Sequence, residues 1–314
     1  MSHTVIRRTE MVGASLNLGG QPLDLTEYST TGLMALAVGP RGFGKTNAGL
    51  LMAEQLSEQG WVSVLIDPEG ELESVYGAAV ADAEELRQRL TLRDVPIVVV
   101  SAKDALDFIP YGQVILEVAD ELRKPLFVCI DEGQLFSAAR KRADGVGEAC
   151  DIIAQFAERG RKRALDLFVT ALRYTGTLHR TMFSNPNLKL IGAQEDPTAW
   201  SALAPMFRSS GIEFKDLNAL GPGEFVLFSR RGIEKTKMPM AEGLKKVAPK
   251  AKTVKRILPA TFSQWDRAMR EITTERLEAL TDPVVSLLGA VAGLVPQQML
   301  AGARALGDEL EARA

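Results

Sequence analysis

The sequence predicts an α/β protein: a mainly parallel central sheet flanked by helices, with a short β segment before it and a helical region after it. Three observations carry this. From residue 33 onward, apolar strand-like runs alternate with helical stretches. A glycine-rich loop, Gly39-Pro40-Arg41-Gly42-Phe43-Gly44-Lys45-Thr46, joins the first run to the first helix. A later run, Leu126–Ile130, ends in Asp131-Glu132.

Residues 1–30 read as short strands and turns, broken by Gly19-Gly20 and Pro22. The strands expected next are Leu33–Val38, Trp61–Ile66, Pro96–Val100, Leu126–Ile130, Leu165–Thr170 and Leu188–Ile191. Several are continuous apolar runs, the signature of parallel strands covered on both faces. Asn47–Gln59 reads as a helix. Ala149, Ile152, Ile153, Phe156 and Ala157 recur at helical spacing. This alternation implies right-handed crossovers. Gly221-Pro222-Gly223 turns the chain into one more strand, Glu224–Ser229. After about residue 240 the texture changes. Leu244–Arg256 holds six basic residues (Lys245, Lys246, Lys250, Lys252, Lys255, Arg256) and no acidic one, interrupted by Pro249. Thr261 then caps a helical stretch through Leu280, and Asp282-Pro283 opens a last helical pair. The expected organisation is an N-terminal segment 1–30, a core 31–240, a basic linker 241–260 and C-terminal helices 261–314.

The glycine-rich loop matches G-x-x-x-x-G-K-[ST], in the strand–loop–helix setting it requires. Gly39, Gly42 and Gly44 let successive backbone N–H groups converge on phosphate oxygens, and the helix adds its positive end. Lys45 supplies a mobile charge for the β- and γ-phosphates, and the Thr46 hydroxyl can ligate Mg²⁺. Arg41, Phe43 and Asn47 complete the loop; Arg41 either adds charge near the phosphates or faces solvent. In the second half of the site, Asp131 would hold Mg²⁺ through water. Glu132, one residue on and facing the other way, would polarise the attacking water. The pair of motifs predicts an ATPase using ATP and Mg²⁺.

Composition bounds the rest. The 314 residues carry a formal net charge of −3, so nucleic acid would have to be met by local basic patches. Cys129, Cys150, His3 and His179 have no metal-ligand spacing. The N-terminus lacks the apolar stretch of a signal peptide, and Val284–Val295 is too short to cross a bilayer; a cytoplasmic protein is expected.

Further signatures point to a family. Trp61–Ile66 leads into Asp67-Pro68-Glu69-Gly70-Glu71. Then come Asp131-Glu132-Gly133-Gln134, Glu158-Arg159-Gly160-Arg161-Lys162, the strand LDLFVT with Arg173 beyond it, and Leu220-Gly221-Pro222-Gly223-Glu224-Phe225. In this order they resemble the HerA/FtsK-type DNA translocases, over roughly residues 20–240. The resemblance implies a RecA-like P-loop core and a homo-oligomer, a hexameric ring with nucleotide between subunits that moves double-stranded DNA. It also implies a basic residue reaching the neighbour's γ-phosphate. Arg161 is the first candidate and Arg173 the second; the Arg159–Arg163 cluster otherwise reads as a solvated helix end.

The chain departs from that family at several places, among them Arg41 and Phe43, which stand where small residues are usual. Where the family has T-Q before the arginine, this sequence has Ala171-Leu172, and Tyr174 replaces the following proline. Together these departures point to slow hydrolysis, or to nucleotide used chiefly for assembly. Arg140-Lys141-Arg142 reads either as a DNA-contacting pore loop or as an exposed loop. Leu244–Arg256 reads as a charged linker or a second DNA contact. Two alternatives stand beside the translocase: a viral genome-packaging ATPase, and a nucleotide-dependent scaffold regulating a partner effector such as a nuclease.

Overall fold

The protein is described by a computed structural model covering residues 13–138 and 144–247, the side chains of Arg159 and Arg161 excepted. The chain divides into two units, Met1–Pro249 and Lys250–Ala314, and every described residue belongs to the first. The expected C-terminal helices and most of the basic linker lie outside the described residues.

All seven expected strands form, each within a residue of its expected ends. In chain order they are β3 (Met34–Val38), β4 (Val62–Asp67), β5 (Ile97–Ser101), β6 (Leu126–Ile130), β7 (Leu165–Ala171), β8 (Leu188–Ile191) and β9 (Glu224–Ser229). With β10 (Gly232–Lys237) they build one sheet in the order β10-β9-β8-β3-β7-β6-β4-β5. The six strands from β8 to β5 run parallel, and β9 and β10 are antiparallel additions. Two strands, β1 (Ser15–Leu16) and β2 (Leu23–Asp24), form a separate antiparallel pair.

The continuous apolar runs are explained by burial on both faces. Met34, Leu36 and Val38 join one core with Val64, Ile66, Val128, Ile130, Leu167 and Val169. It is closed by α3 (Ala83–Leu92), α4 (Ala105–Leu122), α5 (Val146–Arg163) and α7 (Pro197–Phe207). Ala35, Ala37, Leu65, Phe127, Cys129 and Phe168 face the other core, closed by α1 (Lys45–Glu58). Small residues there let α1 sit close. A Cβ on Gly49 would lie 2.6 Å from Cys129 Sγ and 2.8 Å from Phe168, so a glycine in the middle of a helix is explained by the sheet beneath it.

Two expected segments, the described part of 1–30 and the start of 241–260, pack on the core. The N-terminal segment is not separate from the core: Leu16, Leu18, Leu23, Leu25 and Tyr28 are buried in the α1-side core. Gln55 of α1 and Gln59, the residue that caps its C-terminus, act as its pairing partner. Their side-chain carbonyls accept from the backbone N–H of Asn17 (2.7 Å) and Ser15 (2.8 Å), and their amides donate back to the same two residues. The linker expected from residue 241 begins as a helix, α9 (Glu242–Val247). Glu54 of α1 accepts from the backbone N–H of Glu242 and Gly243, each at 2.7 Å, and from the Tyr76 hydroxyl of α2 (Glu73–Tyr76). Of the basic residues that suggested a linker, Lys245 and Lys246 lie in the last turn of this helix, where cations suit the dipole; the others lie outside the described residues.

Candidate nucleotide site

The site is built by strand register at the carboxyl edge of the sheet, where open α/β sheets hold ligands. β7 lies between β3 and β6. Ile130 pairs with Val169, which sets Asp131 level with Thr170. Gly39 N–H donates to Ala171 O at 3.2 Å, pinning the start of the loop, and Gly192 N–H donates to Val38 O at 2.8 Å on the other side.

From Gly39 the chain wraps to α1 with Gly42 at φ 74° and Gly44 at φ 89°, left-handed conformations that suit glycine. Among the described residues, the backbone N–H groups of Arg41 to Asn47 meet no acceptor. The loop is buttressed from behind: Gly223 N–H donates to Phe43 O at 2.9 Å, and the Phe43 side chain packs on the core. Phe43 therefore anchors the loop. The turn Gly221–Glu224, picked out by sequence, is that anchor's other half.

Lys45 is only 5% exposed, and its ammonium donates to Pro40 O at 3.0 Å. Burial pushes its pKa down from the ordinary lysine value, opposed by Glu132 and Asp131 nearby. A buried ammonium with one carbonyl partner beside a row of unpaired N–H groups fits a polyanion. Thr46 Oγ1 donates to Asp131 Oδ2 at 2.8 Å and Thr170 Oγ1 to Asp131 Oδ1 at 2.6 Å; Glu132 N–H donates to Thr170 Oγ1 at 2.9 Å. A carboxylate held by two hydroxyls, with only oxygen donors around it, suits a hard divalent cation. Thr46 and Asp131 are the residues that would hold Mg²⁺.

These groups line a cleft of ≈ 920 Å³, with Arg41, Gly42, Gly44, Lys45, Thr46, Asp131 and Glu132 on one side and Asp67, Glu69, Gly70 and Glu71 on another; Val75, Met240 and Leu244 add an apolar wall. Arg41 is exposed and lines the cleft. Asn47 lines it too, but its side chain is spent as a clamp: Nδ2 donates to Pro239 O and Oδ1 accepts from Ala241 N–H, both at 2.8 Å. Only its backbone N–H is left for a phosphate.

Glu132 stands at φ 47°. The other non-glycine residues at positive φ, Arg93, Arg123 and Ala164, all cap helix ends. Among the described residues, Glu132 alone bears this strain, about 1–3 kcal/mol, inside a site.

Arg173 does not join the group. It is 65% exposed, pairs with Asp196 at 3.9 Å, and lines a separate hollow of ≈ 230 Å³ with Pro40, Leu172 and Gln194. Arg161 lies in α5, its side chain outside the described residues, as are Arg140, Lys141 and Arg142. Sequence reasoning missed Thr170. Its signal is a lone hydroxyl near the end of an apolar strand adjacent to the acidic one, informative only once strand order is known.

No family model and no curated relative matches the sequence. The fold has solved counterparts. The chain is similar to the genome-packaging NTPase B204 of Sulfolobus turreted icosahedral virus 2, solved with ATP-gammaS, at TM-score 0.51 and 14% identity over 66% of this chain and 98% of that one. It is similar to VirB4 of Thermoanaerobacter pseudethanolicus at TM-score 0.54 and 13% identity, covering 73% and 98%. It is also similar to the pCW3 conjugation coupling protein TcpA, in its monomer form with ATPgS, at TM-score 0.52 and 14% identity, covering 74% and 67%. At such identities the likeness shows the fold alone: a RecA-like α/β core with a mostly parallel sheet flanked by helices.

Proposed function

We propose that this chain is a ring-forming ATPase of HerA/FtsK type that couples ATP hydrolysis to movement of double-stranded DNA. The observation that carries the reading is the convergence of Lys45, Thr46, Asp131 and Glu132 on one cleft, with Thr170 tying the last two together. The backbone N–H row and Lys45 would bind the triphosphate. Mg²⁺, held by Thr46 and by Asp131 through water, would neutralise charge on the β- and γ-oxygens. Glu132 would accept the proton of the attacking water.

Movement of DNA is supported by what the fold relatives are named for: genome packaging in B204 and conjugative coupling in TcpA. A hexamer with shared sites is the assembly such a motor needs. Arg173, exposed in its separate hollow, and Arg161 are the candidates to reach a neighbour's nucleotide. A packaging motor is the second reading, favoured by a match that spans nearly the whole of B204. A scaffold that binds ATP to organise a partner effector is the third, favoured by Ala171 and Leu172, which bring no polar side chain to the end of β7.

The test is ATPase rate with and without duplex DNA, alongside native mass with nucleotide. A motor gives DNA-stimulated turnover by an oligomer. Turnover indifferent to DNA at every salt concentration, from a monomer, would remove the motor reading.

A further inference from the structure

We propose that Gln134 is a positioning residue for hydrolysis, whose side-chain amide fixes the Glu132 carboxylate in the nucleotide cleft; this rests on the ATPase reading above. Gln134 Nε2 donates to Glu132 Oε2. In this arrangement Glu132 lines the cleft and acts on the Lys45 ammonium, so the amide holds the carboxylate into the site and not away from it.

Two further features separate this contact from ordinary packing. Gln134 Oε1 is buried with no hydrogen-bond partner among the described residues. An apolar side chain of the same length would fill the space without burying an unpaired acceptor, so packing alone does not account for an amide here. The turn carrying it is also locked. Glu132 sits at φ 47°, and a Cβ on Gly133 would lie 2.3 Å from Val169 Cγ1 and 3.0 Å from Thr170 O. The backbone thus fixes where Glu132 begins, and the amide fixes where its flexible side chain ends. A general base is effective only when its acceptor oxygen is held in line with the proton it takes. Without Gln134 the carboxylate would spread over several rotamers.

Gln134→Met keeps length and bulk and removes the donor. The expected result is a kcat lowered about 10-fold or more, with KM for ATP, binding of a fluorescent ATP analogue and the melting temperature all nearly unchanged. Gln134→Glu, the same shape without the donor, should lose as much and serves if the methionine variant fails to fold. Turnover in either folded variant within about twofold of the wild type, or above it, would overturn the proposal. Wild-type protein that hydrolyses no ATP would instead remove the ATPase reading, and this inference with it.

Discussion

Two strands of this sheet end in acids, and the two ends do opposite things. β4 runs into Asp67, which is 3% exposed and accepts from three backbone N–H groups, those of Glu69 (3.1 Å), Gly70 (3.0 Å) and Leu72 (2.7 Å). Its carboxylate is consumed in shaping its own loop. β6 runs into Asp131 and Glu132, which line the nucleotide cleft and whose carboxylates are held by side-chain groups, two hydroxyls and an amide. An apolar strand ending in an acid is therefore not one motif. What the carboxylate accepts from decides whether it builds or reacts.

This contrast can be broken by substitution. The largest effect is expected at Asp131→Ala: a loss of at least about 100-fold in Mg²⁺-dependent turnover, with little change in denaturant midpoint. Asp67→Ala should do the reverse first, lowering unfolding free energy by about 2–3 kcal/mol in urea titrations, since three backbone donors lose a charged acceptor. Equal stability losses at the two positions would erase the distinction. Next comes Thr170→Val, which removes the hydroxyl linking Asp131 to the backbone of Glu132. Turnover should fall about 10-fold, and stability by about 1 kcal/mol.

The smallest effect is a pH dependence. Lys45 has a folded pKa below its ordinary 10.5, with burial the main cause. Between the two values the unfolded chain keeps a proton that the folded chain has released, so stability rises with pH in that window. A polyphosphate favours the ammonium instead. Nucleotide affinity, measured by calorimetry, should therefore decline as pH climbs through the lowered value, earlier than 10.5. Lys45→Arg should bind more weakly but without this decline. An affinity of the wild type flat to pH 10.5 would contradict the burial argument.

The parallel sheet was legible in the sequence because its strands are covered on both faces, so their apolar runs are unbroken. β10 was not. Gly232-Ile233-Glu234-Lys235-Thr236-Lys237 is a charged edge strand, and its place comes from pairing with β9. The glycine-rich loop and Asp131-Glu132 were legible because their chemistry is contiguous in the chain. Thr170 and the clamp at Asn47 were not, since each acts through a partner far away in sequence: Asp131 in one case, Pro239 and Ala241 in the other. The role of Asp67 was hidden for a different reason. Its residue type and setting match those of Asp131, and only its hydrogen-bond partners tell them apart.

In the proposed function the acids after β6 face ATP. This is tested most directly by Glu132→Gln, with Mg²⁺-ATP affinity and single-turnover hydrolysis measured on the same preparation. The expected result is affinity close to that of the wild type and hydrolysis lowered at least about 100-fold. Hydrolysis at the wild-type rate in a variant that still binds ATP would contradict it.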